Sequence, residues 1–169
     1  MITNGAKWHQ VVDPPKGEVN LPKTKTMLIG SYLGILGEKR RVAVPKRFLT
    51  ELGEKPILAK WYEDCLILVS EEFWNGLLGR MTGGKGVISL GVRDIERFIL
   101  GSAYEADPDS QGRIIIPEIL AIYANLKKDL VFVGLTDRVE VWNKDVWDQK
   151  SKDLAKTTKE YIEKLADGD

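Results

Sequence analysis

The residues of this chain that could do covalent or acid–base chemistry are few and poorly placed for it. The single histidine, His9, lies in a stretch (residues 1–26) with Pro14-Pro15, Pro22, scattered lysines and no usable periodicity. That stretch reads as a disordered N-terminal extension, and a catalytic base needs a fixed partner and a pocket. The single cysteine opens the apolar run Cys65-Leu-Ile-Leu-Val69. It has no structured histidine to pair with and no second cysteine for a disulfide, so a buried, apolar-like thiol in a reducing cytoplasm is expected. No Cys/His cluster has zinc-ligand spacing. Gly79-Arg-Met-Thr-Gly-Gly84-Lys85 matches the start of a phosphate-binding loop, but Gly86 stands where the magnesium-holding hydroxyl belongs. The segment also follows a helical pattern and not a strand. No enzyme, metal, cofactor or small-molecule substrate is expected.

A different chemistry is available at Gly37-Glu-Lys-Arg-Arg-Val-Ala-Val-Pro-Lys-Arg47. Here Lys39, Arg40, Arg41, Lys46 and Arg47 stand against Glu38 alone, a local charge of +4. A β-turn with adjacent arginines can enter the major groove, where arginine bridges guanine O6 and N7 while lysines hold phosphates. A solvated hairpin end fits the same charges equally well. The segment recurs 72 residues later, with Arg41-Val-Ala-Val-Pro45 echoed by Arg113-Ile-Ile-Ile-Pro117. There Glu105, Asp107, Asp109 and Glu118 surround Arg113, a local charge of −3, which on charge alone favours a structural ion pair.

The echo continues in order. Ile57-Leu-Ala-Lys60 falls on Leu130-Val-Phe-Val133, Cys65-Leu-Ile-Leu-Val-Ser70 on Arg138-Val-Glu-Val-Trp-Asn143, and Phe73-Trp74 on Val146-Trp147. An ordered series of this length is a duplication. Each copy reads as a short strand (32–36; 103–106), a polar turn (37–40; 109–112), a strand (41–44; 113–116) and a helix opened by Pro45 or Pro117. Gly53 is placed to stop the first helix. A hairpin follows, turning at 62–64 and 134–137, and then a helix capped by Ser70 or Asn143. Four short strands hold little core alone, so the halves are expected to interlock.

The expected organisation is therefore a disordered extension over 1–26, modules over 27–76 and 103–148, a linker with a helix over 77–102, and a C-terminal helix with an acidic tail over 149–169. Val92, Ile95, Phe98 and Ile99 mark the linker helix. Trp147, Leu154, Tyr161, Ile162 and Leu165 mark a long amphipathic helix. No apolar run approaches the roughly 20 residues of a membrane span, and no secretory h-region is visible. With 25 basic and 25 acidic residues, bulk charge gives no support to nucleic-acid binding. Such a role must rest on where the charges lie.

Asp109-Ser-Gln-Gly-Arg113 with Ile-Ile-Ile-Pro117 resembles the Asp-x-x-x-Arg signature of MraZ proteins, which carry two SpoVT-AbrB modules in one chain. Met27-Leu-Ile-Gly-Ser-Tyr32, Phe98-Ile-Leu-Gly-Ser-Ala103 and Asp137-Arg-Val-Glu-Val-Trp142 resemble it too, over about residues 27–148. The resemblance implies an α+β, β-rich fold in which duplicated β-β-α-β-β modules form a pseudo-two-fold, swapped-hairpin (AbrB-like) barrel with flanking helices. It implies a ring-like homo-oligomer in the cytoplasm, on the nucleoid, that binds double-stranded DNA at direct repeats and represses the division and cell-wall gene cluster. Its signature arginines match Arg41 and Arg113, with Lys39, Arg40, Lys46 and Arg47 flanking and Gly37, Asp109 and Gly112 shaping the turns. The first copy departs from the pattern, with Gly37 and Arg40 where aspartate and glycine are expected. If that glycine position needs a positive φ, Arg40 costs about 1–2 kcal/mol there. Family members begin near Met27, so residues 1–26 are either a lineage-specific arm or precede the real start. Two alternatives stand beside this reading: an antitoxin-like protein-binding module, and a structural oligomer whose DNA site has decayed.

Overall fold

Among the described residues, β-branched and aromatic runs between polar turns give eight strands, with five α-helices around them. A computed structural model describes residues 27–82 and 90–166. The arm 1–26 with His9, most of the glycine-rich turn after Thr82, and the last three acidic-tail residues lie outside this description. The first half comprises β1 (Leu28–Ile35), β2 (Arg41–Ala43), α1 (Lys46–Leu52), β3 (Ile57–Trp61), β4 (Cys65–Val69) and α2 (Glu71–Thr82). After α3 (Leu90–Ile99), the second half repeats the order: β5 (Tyr104–Glu105), β6 (Arg113–Ile115), α4 (Glu118–Tyr123), β7 (Asp129–Thr136), β8 (Val139–Asn143) and α5 (Lys144–Ala166).

The halves exchange strands. One antiparallel sheet runs β1-β7-β8-β4-β3-β5, and β2 pairs with β6 in a separate ribbon. Each lead strand thus lies on the other half's hairpin, β1 on β7 and β5 on β3. Replacing every strand by its counterpart reverses the written order and changes nothing else. Residue pairing obeys the same exchange: Val42 faces Ile114 at the middle of β2–β6, and Ile67 faces Glu140 at the middle of β4–β8. The fold is α+β and strand-rich, but the hydrogen-bonded strands form an open six-stranded sheet and a two-stranded ribbon, not one closed barrel.

Three details differ from the sequence-based expectation, the first being that β1 runs over Leu28–Ile35 where a strand was expected over 32–36. The second hairpin turns later than 134–137, because β7 runs on to Thr136 to pair along the whole of β1. Ile57 matches Val131 and not Leu130: Ile67 and Glu140 are equivalent, so Val69 and Trp142 are, and these face Ile57 and Val131 respectively. Pro45 matches Pro117 at a spacing of 72, Ile57 matches Val131 at 74 and Ile67 matches Glu140 at 73, so the connection before β7 is two residues longer than its counterpart and the second hairpin turn one residue shorter. The caps are as expected. Ser70 Oγ accepts from the Phe73 N–H at 3.2 Å and Asn143 Oδ1 from the Asp145 N–H at 2.8 Å. Gly53 ends α1 at φ 84°.

The sheet separates two cores. Val42, Phe48, Ile114, Leu120, Leu58 and Phe132 belong to the one that the ribbon, α1 and α4 close. Trp61, Cys65, Ile67, Val131 and Trp142 belong to the other, under Leu77 of α2, Ile99 of α3 and Trp147 of α5. This explains why β4 and β8 are buried at every position and lack alternation. Cys65 is fully buried, and burial pushes its thiol pKa up.

The β1–β7 seam is especially tight at Gly134. A Cβ there would lie 2.7 Å from Ile29 N and 2.8 Å from Leu28 O, both backbone atoms that cannot swing aside. Gly134→Ala is therefore expected to lower stability by about 1–3 kcal/mol, read from the urea midpoint. An unchanged midpoint would show that β1 gives way freely.

Candidate nucleic-acid interface

The β2–β6 ribbon turns one face inward and one outward, by the strand period of two. Val42 and Ile114 are buried, while Arg41, Ala43 and Ile115 are exposed and Arg113 is half-buried. Arg41 lies opposite Ile115 and Arg113 opposite Ala43. The two arginines are thus diagonal neighbours on one outward face, a relation that typically spans about 7–8 Å. Sequence reasoning had placed them at equivalent positions of two copies without bringing them together. The missing information was the β2–β6 pairing, which no local signal carries.

Both turns close alike. The Gly37 N–H donates to Arg41 O at 2.8 Å, and the Asp109 N–H to Arg113 O at 2.9 Å. Each turn is then tied across to the other half, the Val44 N–H donating to Gly112 O at 3.0 Å and the Ile116 N–H to Arg40 O at 2.9 Å. Inside the loops they differ. Gly112 adopts φ 73°, and its equivalent Arg40 adopts φ 57°, so the first copy does hold an arginine in the left-handed region. Lys39 joins it at φ 55°.

The side chains divide into free and tethered ones. Among the described residues, Arg41, Lys39 and Lys46 have no ion pair or side-chain hydrogen bond, and all three are exposed. Arg40 is turned sideways, its Nε–H donating to Ile116 O at 3.0 Å. Arg47 donates to the Tyr32 hydroxyl at 2.7 Å. In the second turn Asp109 does the work of a brace. Its Oδ1 accepts the N–H groups of Gln111 (2.9 Å) and Arg113 (3.0 Å), and its Oδ2 accepts Arg113 Nε at 2.8 Å. The Arg113 guanidinium is thereby fixed by the same carboxylate that shapes the loop. Gly37 has no side chain to supply this, so Arg41 is unbraced. Neither Glu105 nor Glu118 pairs with Arg113.

This chain can now be set beside known proteins. A family described as "MraZ protein, putative antitoxin-like" matches residues 99–166. The transcriptional regulator MraZ of Thermoanaerobacter sp. (strain X514) is 37% identical over 141 residues, covering 83% of this chain and 98% of its own. That of Acetivibrio thermocellus is 38% identical over 140 residues, covering 83% and 97%. The chain belongs to the MraZ family. It is a transcriptional regulator and not an enzyme. No helix among the described residues is long and apolar enough to cross a membrane.

In this MraZ chain the Asp109 brace has a pH signature. The backbone N–H of Arg113 foremost, then its guanidinium and the Gln111 N–H, hold the Asp109 carboxyl below the usual carboxylate range. A carboxyl depressed on folding contributes stability that is present above its unfolded value and lost as pH falls through its folded value. Asp109→Asn is therefore expected to lower the urea midpoint at pH 7, with the gap to the unmodified chain closing below about pH 4. A gap that stays constant from pH 7 to pH 3 would contradict the brace.

Proposed function

We propose that the outward face of the β2–β6 ribbon binds double-stranded DNA, with Arg41 and Arg113 reaching base edges in the major groove and Lys39 and Lys46 holding phosphates. The observation that carries this is the register that sets both arginines on one exposed face, with uncommitted lysines beside them. A two-stranded ribbon fits the width of the major groove, and arginine matches the two acceptors of guanine there. In this reading Arg40 and Arg47 contribute positive field from beside the ribbon, each held there by one guanidinium donor, Arg40 by Ile116 O and Arg47 by the Tyr32 hydroxyl. We read the exchange of lead strands between halves as the swapped-hairpin, AbrB-like arrangement, which the reversible strand order supports. The modules are then 27–76 and 103–148, with Gly37, Asp109 and Gly112 as turn residues.

The chain acts as a repressor of the division and cell-wall gene cluster, as a cytoplasmic, nucleoid-associated homo-oligomer of ring-like form. One ribbon per subunit gives a small contact. Several ribbons on direct repeats raise effective affinity about 10²–10⁴-fold, which is the physical reason for an assembly.

The two arginines are expected to play unequal parts. Arg41 is free and lies among lysines, so Arg41→Ala should weaken binding to operator and scrambled DNA alike and reduce the salt slope by about one per subunit. Arg113 is oriented by Asp109, and orientation serves base choice. Arg113→Ala should mainly erode discrimination, by about 1–3 kcal/mol. Titrations of both variants on both DNAs at two salt concentrations decide the matter. Loss of all binding with Arg113→Ala alone would overturn this division, and unaltered binding in both variants would remove the ribbon face as the DNA site.

A further inference from the structure

The pseudo-symmetry of the sheet breaks at its two edges. On β1, Ile29, Leu33 and Ile35 share a face, and they are 44%, 72% and 63% exposed. Their cross-strand partners are Leu135, Val131 and Asp129, and directly opposed residues share a face. This is therefore the face on which Val131 and Trp142 form the second core. Helix α5 covers that core through Trp147, whose ring lies 5.7 Å from that of Trp142, and leaves the β1 margin open. At the other edge the equivalents of Leu33 and Ile35 are Glu105 and Asp107, both exposed. The chain thus places large apolar side chains at open positions on one edge and carboxylates at the matching positions of the other.

A second apolar face stands uncovered on the same chain. Beyond the body, α5 continues to Ala166, and Leu154, Tyr161, Ile162 and Leu165 recur at helical spacing on one side. They are 42%, 63%, 61% and 77% exposed. This is the continuation of the helix face that carries Trp147 onto the sheet. The face already shown to fit this sheet surface therefore extends into solvent, while the sheet surface extends beyond the helix.

We propose that these two faces meet between copies: the outer turns of α5 from one subunit lie on the β1 margin of the next. The proposal rests on the homo-oligomer reading above and names its contact. The two surfaces differ from each other, so the contact is head-to-tail, the kind that closes into rings. The four side chains of the helix face, and on the sheet Ile29, Leu33 and Ile35 with the adjoining Leu135, amount to roughly 400 Å² of apolar surface per face. With a polar rim the total reaches about 1,000 Å², the lower bound for a specific interface. The charges at the rim are compatible: Lys164 borders the helix face, and the exposed Asp129 lies opposite Ile35 at the end of the strip.

The test uses the full chain, Leu33→Glu (the residue type its equivalent already carries) and Ile162→Glu, with light scattering at micromolar concentration. Both positions are exposed, and unchanged circular-dichroism melts check the fold. The unmodified chain should give a mass several times 19.0 kDa. Each variant alone should lose association by on the order of tenfold or more. Mixed, the two variants should form a species of twice the subunit mass, because each retains the face that the other lacks. If the unmodified chain is monomeric, the oligomer reading and this contact both fall. If it assembles but Leu33→Glu assembles equally well, the head-to-tail contact alone is overturned. An assembly that Ile162→Glu abolishes but Leu33→Glu leaves intact, with no rescue on mixing, would mean that α5 pairs with itself, and would also overturn it.

Discussion

Everything in this molecule depends on backbone hydrogen bonds made between halves rather than within them. A hairpin alone leaves an edge of unpaired N–H and C=O groups, and a two-stranded unit is marginal in water. Here the β3 edge is filled by β5 and the β7 edge by β1, while the hairpins join through β4–β8. The ribbon β2–β6 exists only because each half supplies one strand. Val42 and Ile114, facing each other at its centre and fully buried, anchor it to the core of the sheet. The arginine face is therefore a product of the exchange, and a single half has no means of building it.

The exchange fixes the ends of both turns and leaves their interiors free to diverge. Gly112 takes its left-handed conformation, φ 73°, without the steric cost a side chain would bring there. In the first turn two side-chain-bearing residues, Lys39 and Arg40, take up that conformation. Such strain costs on the order of 1–3 kcal/mol per residue and persists where the surroundings hold it. The surroundings are visible: Arg40 is bound at its carbonyl by the Ile116 N–H and at its Nε by Ile116 O. Both contacts reach the other half, so the strained arginine serves as a cross-tie. The second turn uses a carboxylate brace instead. Different local chemistry therefore yields the same outward position for the arginine that follows.

Much of this was legible in the sequence, for reasons that can be named. Ser70, Asn143, Gly53 and the two prolines are local signals whose physics acts within four residues; the first three sit where they were expected, and Pro45 and Pro117 sit one residue before the first helical position, at the N-caps. The duplication was legible because both copies keep the same core pattern. Pairing between halves was not. The expectation that the halves interlock came from the smallness of each core, and it named no partner for β2. Hence the common face of Arg41 and Arg113 was invisible, as were the tethers of Arg40 and Arg47, whose acceptors Ile116 and Tyr32 lie 76 and 15 residues away. The match of Ile57 to Leu130 was one residue out because Leu130 and Val131 are equally apolar. Only their partners across the sheet distinguish them.

The departures from symmetry follow a pattern. Interior positions keep their character across the exchange: Val42 and Ile114, Leu58 and Phe132, Phe48 and Leu120 are all buried in one core. Where symmetry places Glu140 opposite Ile67 in a buried sheet, the carboxylate is satisfied by Trp142 Nε1 at 3.0 Å and lies near Arg138, so even this exchange of an apolar for a charged residue is contained. The uncontained differences are all at the surface: Gly37 against Asp109 in the turns, Leu33 against Glu105 at the edges, and the 23-residue α5 against the 12-residue α2. A duplicated chain that only needed to fold would have no use for apolar residues at an exposed edge, because they stabilise nothing within the subunit and invite association. Retaining a symmetric interior constrains the fold. The asymmetric periphery is free to distinguish the two arginines from each other and the two ends of the molecule from each other, and the DNA reading and the head-to-tail contact proposed above draw on one distinction each.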